Sequence, residues 1–490
     1  MSSYRSEGGN ISIDRLLIDH KAFPFVEKTN IPRTVKETRY EVYTTTSSYP
    51  KSTVAATPGA QYVFDFDVKA TSDGTLYDLN NSYFRLNLSI PDSAVGAAQN
   101  WSLAQFALNN IVTDCYVYFN SALVSEPHTN TYPYSAFTKD ILLMNRPQLA
   151  SSGFDEQGGT GLDIHCDEDA VMSGNFLANA GNEFNVKTSI TSAANYTKML
   201  VGTDPTAAAY GGNKIQMKLN LKDGVWMTSD YFPSTIKIAI RLILNLDNLI
   251  QYVLANVADR PIITLNKIDF MMKRVFLEED SREAFNKASI MKPLTYSFPY
   301  SRVETFQILR GSTNVKINQL FQGARYDPEM LVIFGVGTIV DASFPLVACG
   351  RANRFFINTD HTGIIIKDAF VNFKGKRYPS ATNEYGYIGG DVTTYQEYKK
   401  NCLNDEECYL PYANWVTHYS PYVISLRDDG SKMWNLKENE GLGQGLDLYI
   451  EYVDPGALRV PMDITLYIVA LSNARLEIEN KQVTRFGYTN

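Results

Sequence analysis

The densest group of ligand-type side chains in the sequence is Asp163, His165, Cys166, Asp167, Glu168 and Asp169. It offers carboxylate oxygen, imidazole nitrogen and thiolate sulfur together, a mixture that matches no single metal's preferred donors, and no paired ligand spacing elsewhere completes it. The segment reads as a solvated acidic loop. Nucleophilic catalysis would need a Ser or Cys with a base and an orienting carboxylate. None of the histidines (His20, His128, His165, His361, His418) lies beside a Gly-x-Ser-x-Gly elbow or a comparable cysteine signature. No Gly-x-x-x-x-Gly-Lys phosphate loop occurs, and Gly441-Leu-Gly-Gln-Gly445 precedes a strand where a nucleotide site needs a helix. The 53 acidic residues permit a glycosidase pair without pointing to one. No catalytic, cofactor-binding or metal-ligating residue is therefore assigned, no cofactor is expected, and the chain does not read as an enzyme.

The five cysteines (Cys115, Cys166, Cys349, Cys402, Cys408) are an odd number in a long chain, which is no disulfide framework and fits a reducing site of synthesis. Cys402 and Cys408 enclose a short acidic stretch and read as two unpaired thiols in a loop. The start of the sequence lacks the apolar segment of a signal peptide, so secretion by that route is not expected. Met330 to Val340 is the longest apolar stretch and falls well short of the roughly 20 residues that span a bilayer, so it reads as a buried strand. A net charge of -8 argues against a surface built to grip nucleic acid, because phosphate binding needs concentrated Lys and Arg.

With no chemistry to position, the elements themselves carry the information. The 490 residues exceed what one core usually fills, and 44% hydrophobic with 20% charged residues supports substantial cores. Tyr (31) and Phe (25) dominate the aromatics, residues that favour half-buried pleated surfaces. Tyr62, Phe64, Phe66 and Val68 alternate with Val63, Asp65, Asp67 and Lys69, the signature of a strand with one buried face. Short strands bounded by Gly, Pro, Asn and Asp recur along the chain with little helical period; Tyr132 to Leu143 continues this pattern, with room for one helical turn. Glu278 to Glu283 reads as an acidic loop, and Pro261 to Phe276 as a strand pair opening the second half.

The sequence also repeats itself. Cys115-Tyr-Val-Tyr-Phe-Asn-Ser121 recurs as Ala369-Phe-Val-Asn-Phe-Lys-Gly375, with Val117 matching Val371, Phe119 matching Phe373, and a turn following in each. Each half ends in a long alternating strand, Thr235 to Asn245 and Asp463 to Leu471, and each carries a long irregular insertion after the repeated strand, at 146–213 and 378–440. The expected organisation is an N-terminal arm at 1–48, a first β-sandwich at 49–257 and a second at 258–490. The class is all-β: two tandem jelly-roll or Greek-key sandwiches with long loop insertions.

Within the second half, Tyr296-Ser-Phe-Pro-Tyr-Ser301, Phe321-Gln-Gly323, Pro328 to Gly335, Asn353-Arg-Phe-Phe356 and Ile364 to Pro379 follow one another in an order that resembles a known family. So do the closing strands Gly445 to Tyr452 and Ile464 to Leu476, and in the first half Asn110 to Leu143 and Met217 to Leu246, with Tyr231-Phe-Pro233. The family is the double jelly-roll, hexon-like major capsid proteins of polintons (Mavericks), adintoviruses, virophages and related tailless double-stranded DNA viruses. The resemblance covers about residues 55–490 as a series of short motifs. It implies a structural protein: a homotrimer forming a pseudo-hexameric capsomer, with capsomers tiling an icosahedral shell around double-stranded DNA. The implied partners are neighbouring capsomers, penton proteins and minor or cement capsid proteins, with no sequence-specific nucleic acid contact and no membrane span. The implied location is the virion, after synthesis inside the host cell. On this resemblance the insertions are outer loops and the arm ties capsomers together on the inner side. From the residues alone, a carbohydrate-binding or carbohydrate-active β-sandwich is the alternative, since Tyr385-Gly-Tyr387 and Tyr395-Gln-Glu-Tyr398 place aromatic rings in loops where sugars stack.

Overall fold

The computed structural model describes residues 35–46, 54–55, 61–90, 101–103, 107–143, 213–252, 264–323, 327–339, 366–379, 392–403, 408, 412, 421–427, 445–457 and 462–485. The 163–169 cluster, most of the 146–213 insertion, Cys166 and Cys349 lie outside them.

Eight main strands come first: β1 (Val35–Thr44), β2 (Tyr62–Val68), β3 (Leu76–Ile90), β4 (Val112–Phe119), β5 (Ala122–Leu123), β6 (Asn213–Leu219), β7 (Ile238–Leu244) and β8 (Thr264–Leu277). Eight more follow: β9 (Leu294–Ile308), β10 (Asn314–Leu320), β11 (Met330–Ile339), β12 (Ile366–Phe373), β13 (Lys376–Tyr378), β14 (Tyr422–Ser425), β15 (Leu446–Tyr452) and β16 (Met462–Glu479). Strand pairing runs β1-β8-β3-β6 and β2-β7-β4-β5 in the first set, β9-β16-β11-β14 and β10-β15-β12-β13 in the second. Numbered within its own set, each half has the order 1-8-3-6 in one sheet and 2-7-4-5 in the other. That is the jelly roll, built twice from antiparallel pairs.

Alternation makes the sheets face each other. In β2 the buried residues are Phe64, Phe66 and Val68, and in β7 Ile238, Ile240, Leu242 and Leu244. Phe66 meets Phe84 of the opposite sheet edge to face at 5.2 Å, an arrangement that aromatic quadrupoles favour. In the second half Leu446, Leu448, Ile450 and Tyr452 of β15 point into the core shared with Leu331, Ile333, Ile464 and Leu466.

The repeated segments occupy the same place in the two rolls. β4 and β12 are both fourth strands, and each is followed by a two-residue hairpin: Asn120-Ser121 with φ of 46° and 76°, Lys374-Gly375 with φ of 50° and 75°. Two successive residues in the left-handed region match the right-handed strand twist, which is why this turn suits a tight hairpin. Both long insertions fall in the link between the fifth and sixth strands, but the second is shorter than expected, because Tyr422–Ser425 inside it is β14.

Other elements depart from the sequence expectations. β7 ends as expected near Asn245, but it is a seventh strand; the eighth is Thr264–Leu277, one continuous strand paired with β1 and β3 of the first roll. It lies between two partner strands, and no Gly or Pro interrupts it. Pairing thus places 264–277 with the first roll, beyond the expected limit at 257. Val35–Thr44, within the expected arm, is β1. Among the described residues four α-helices interrupt the β text: α1 (Ala107–Ile111), α2 (Tyr132–Leu143), α3 (Glu279–Met291) and α4 (Val392–Asn401). The expected acidic loop is the start of α3, where Glu279 and Asp280 complement the positive end of the helix dipole. In α2 every residue from Tyr132 to Leu142 is buried, so no polar face remains to mark a helical period.

Candidate functional site

α2 joins the two sandwiches. Its Tyr132 and Ala136 belong to the first core, while Tyr134, Phe137, Ile141 and Leu142 belong to the second. The Tyr134 ring stacks on Tyr467 of β16 with centroids 3.5 Å apart. β9 and β16 also serve both cores, with Tyr296, Phe298, Leu476 and Ile478 in the first and Ile308, Ile464 and Leu466 in the second. The Tyr296 ring stacks on Phe232 at 4.2 Å and its hydroxyl donates to the Tyr231 carbonyl at 3.1 Å. Helix α2 and strands β9 and β16 therefore run through both cores and join the rolls by shared elements.

A sealed polar cluster sits within this junction. Glu126 follows β5, Lys139 and Asp140 stand on α2, Lys222 and Asp223 lie in the link from β6 to β7, and Ser301 is on β9. Lys139 Nζ donates to Glu126 Oε1 at 2.5 Å and to the Lys222 carbonyl at 2.8 Å. Lys222 Nζ pairs with Asp140 Oδ1 at 3.1 Å. The Ser301 and Ser135 hydroxyls donate to Glu126 Oε2 at 2.5 and 3.2 Å, and the Glu126 backbone N–H donates to Asp223 Oδ2 at 3.0 Å. His128 completes the group, with Nε2 3.6 Å from Asp223 Oδ2 and 3.8 Å from Glu126 Oε2. Both separations exceed hydrogen-bonding distance.

Burial governs the protonation of this cluster. It pushes the Asp223 carboxyl up to about 7, against the pull of Lys139. It raises Glu126 in the same sense, opposed by Lys139, and it lowers His128 to about 4, opposed by Glu126. Each group is driven toward its uncharged form by loss of water. Glu126, His128 and Asp223 are also the one group of metal-ligand type among the described residues, with ligand atoms all within 4.8 Å of one another. No spacing in the sequence announces them: His128 reads as one of five unremarkable histidines, and Asp223 reaches it only through the fold.

Of the cysteines, Cys115 lies buried in the first core, Cys402 is buried in the second, and Cys408 is half-buried against it. Cys402 follows α4 and donates to the Tyr398 carbonyl at 3.4 Å, while Tyr398 and the Leu403 backbone N–H bond to the carbonyls of Ile141 and Leu142 on α2. The Tyr-rich stretch read as a sugar-stacking loop is thus in part a helix docked on the junction. Among the described residues no helix is long and apolar enough to cross a membrane.

No family model matches the sequence, and no curated protein matches it. Solved structures do. The chain is similar to the quasi-atomic structure of the PBCV-1 virus capsid, with a TM-score of 0.51 at 10% identity, covering 94% of this chain and 99% of that one. It is similar to PBCV-1 VP54 as fitted into a reconstruction of the virophage Sputnik, with a TM-score of 0.50 at 10% identity and the same coverage. A chain of the Sputnik virophage structure gives 0.50 at 13% identity, covering 95% of this chain and 91% of that one. Nearly full coverage in both directions means that the two rolls correspond together, and the fold of this chain is the all-β double jelly roll of viral capsid proteins.

Proposed function

We propose that this chain is a viral major capsid protein, a structural subunit and not an enzyme. Three copies form a pseudo-hexameric capsomer, and capsomers assemble with penton and cement proteins into an icosahedral virion shell around double-stranded DNA. The observation that carries this reading is the repetition of one strand order in two fused rolls, together with the correspondence of the whole chain to capsid structures. A head-to-tail contact closed around a three-fold axis gives a ring, and two similar rolls per subunit give that ring six similar edges for hexagonal packing. The elements shared by the two cores support the role, since a shell tile must keep its two halves at a fixed angle. The division proposed is an arm before β1, a first roll through β8 and a second from β9. The insertions between fifth and sixth strands supply outer loops.

Light scattering on the purified 55.0 kDa chain, with negative-stain imaging of the same peak, tests the proposal. A mass three times that of the chain with hexagonal outlines is the expected result. A monomer that never associates and that binds glycans on an array would overturn it in favour of the carbohydrate reading.

A further inference from the structure

We infer that Glu126, His128 and Asp223 form a binding site for one divalent transition metal ion of the zinc class, set in the first roll beside its junction with the second. The first ground is geometry: the three ligand atoms converge within 4.8 Å, and all three residues are buried. The second is an orphan. His128 has a side chain 1% exposed, and neither ring nitrogen has a hydrogen-bond partner. A buried imidazole without partners is costly, and an ion accepting its lone pair removes that cost. The ring is held in place edge-on to Tyr132, with centroids 5.3 Å apart.

Charge supports a cation. The sealed cluster sets three carboxylates, Glu126, Asp140 and Asp223, against two ammonium groups, Lys139 and Lys222. Asp223 accepts from the backbone N–H groups of Glu126, Gly224 and Val225, while the two ammonium groups bond elsewhere, Lys139 to Glu126 and Lys222 to Asp140. Two ligands bound to zinc at ~2.0–2.2 Å in tetrahedral geometry lie about 3.4 Å apart. The observed 3.6 and 3.8 Å from His128 Nε2 to the two carboxylates therefore need a contraction of only a few tenths of an ångström. A nitrogen donor with two carboxylates suits zinc and its neighbours better than magnesium or calcium, which prefer oxygen. The supporting contacts exist already: Lys139 holds Oε1 of Glu126, and the Ser301 and Ser135 hydroxyls, which donate to Oε2, orient the oxygen that an ion would share with them.

The test uses the full chain produced with added zinc, dialysed against a weak chelator and analysed for bound metal. About one zinc per chain is expected to be retained, and a cobalt-loaded sample should show visible absorption bands of a low-coordinate nitrogen–oxygen site. His128→Gln and Asp223→Asn should each lower retention roughly tenfold or more with the solution mass unchanged. If either variant fails to fold, the other carries the comparison. Wild-type chain that retains no zinc and unfolds at the same temperature with and without it overturns the inference. So does a variant that binds as well as wild type, since the ion would then sit elsewhere.

Discussion

The Ser301 hydroxyl on β9 donates to Glu126 Oε2 at 2.5 Å, so the first strand of the second roll completes the hydrogen-bond shell of a carboxylate that belongs to the first. The other oxygen of Glu126 is held by Lys139 of α2. Each of these groups is sealed from solvent.

Removing one partner of such a pair leaves the other charge buried and uncompensated. Lys139→Met, which keeps the volume of the side chain, is expected to cost about 3–5 kcal/mol. Ser301→Ala removes one hydrogen bond and should cost about 1–3 kcal/mol. Urea unfolding of the two variants checks the order. A Lys139→Met protein with the wild-type midpoint would mean that the cluster contributes nothing to the junction.

The paired hairpins give an internal comparison. Ser121 and Gly375 hold the same turn position with φ of 76° and 75°, and only the second has the residue that tolerates it without strain. A non-glycine residue in this region carries roughly 1–2 kcal/mol of steric cost, part of which glycine's unfolded-state freedom offsets. Ser121→Gly should therefore stabilise by about 0.5–1 kcal/mol, and Gly375→Ser should destabilise by a similar amount. Calorimetry that finds both melting temperatures moving in the same direction would contradict the equivalence of the two turns.

These turns were legible because they are local. Asn120-Ser121 and Lys374-Gly375 follow the matching pairs Val117/Val371 and Phe119/Phe373, and period-two burial fixes the strands around them. The eighth strand was legible as apolar text but not as a member of the first roll, since which strands flank Thr264–Leu277 is a long-range fact. α2 was hidden for a different reason: it is buried on all sides between two cores, and amphipathic periodicity exists only where one face meets water. The polar cluster combines both difficulties. Glu126, Lys139, Asp223 and Ser301 come from four separate segments, and nothing in the types of those residues announces that they are sealed.

Cys408 is expected to be the most reactive of the described thiols. A hydrogen bond from the Cys402 thiol, with help from the Tyr395 hydroxyl, holds it at about 6 against the opposing effect of burial, whereas burial pushes Cys115 well above the usual range. Cys408 is half-buried and Cys115 and Cys402 are fully buried. Thiolate is the reactive form, so iodoacetamide at pH 7 should label Cys408 at least about tenfold faster than the other two. Its rate should fall as pH drops below 6. Peptide mass spectrometry after timed labelling decides the matter, and equal labelling of Cys115 would sink the assignment.

The arm can be separated from the roll that follows it. β1 pairs with β8 from Val35 to Thr44, and Glu41 Oε1 accepts from Arg274 Nη1 at 2.8 Å, while Arg274 also reaches Asp73 at 2.9 Å. Arg39 covers the Phe276 ring at 4.4 Å. A chain lacking residues 1–48 would strip that strand from its sheet and leave Arg274, which is 5% exposed, without one of its carboxylates. Loss of the β1–β8 pairing together with this half-buried ion pair should make the truncated chain melt at a markedly lower temperature. A chain lacking only residues 1–33 keeps every one of these contacts and should melt well above the chain lacking 1–48. If the proposed role of the arm in joining capsomers holds, the shorter truncation will form capsomers but few closed shells. Closed shells at normal yield from the chain lacking 1–33 would remove the arm from assembly, and an unchanged melting temperature for the chain lacking 1–48 would remove β1 from the stability of the first roll.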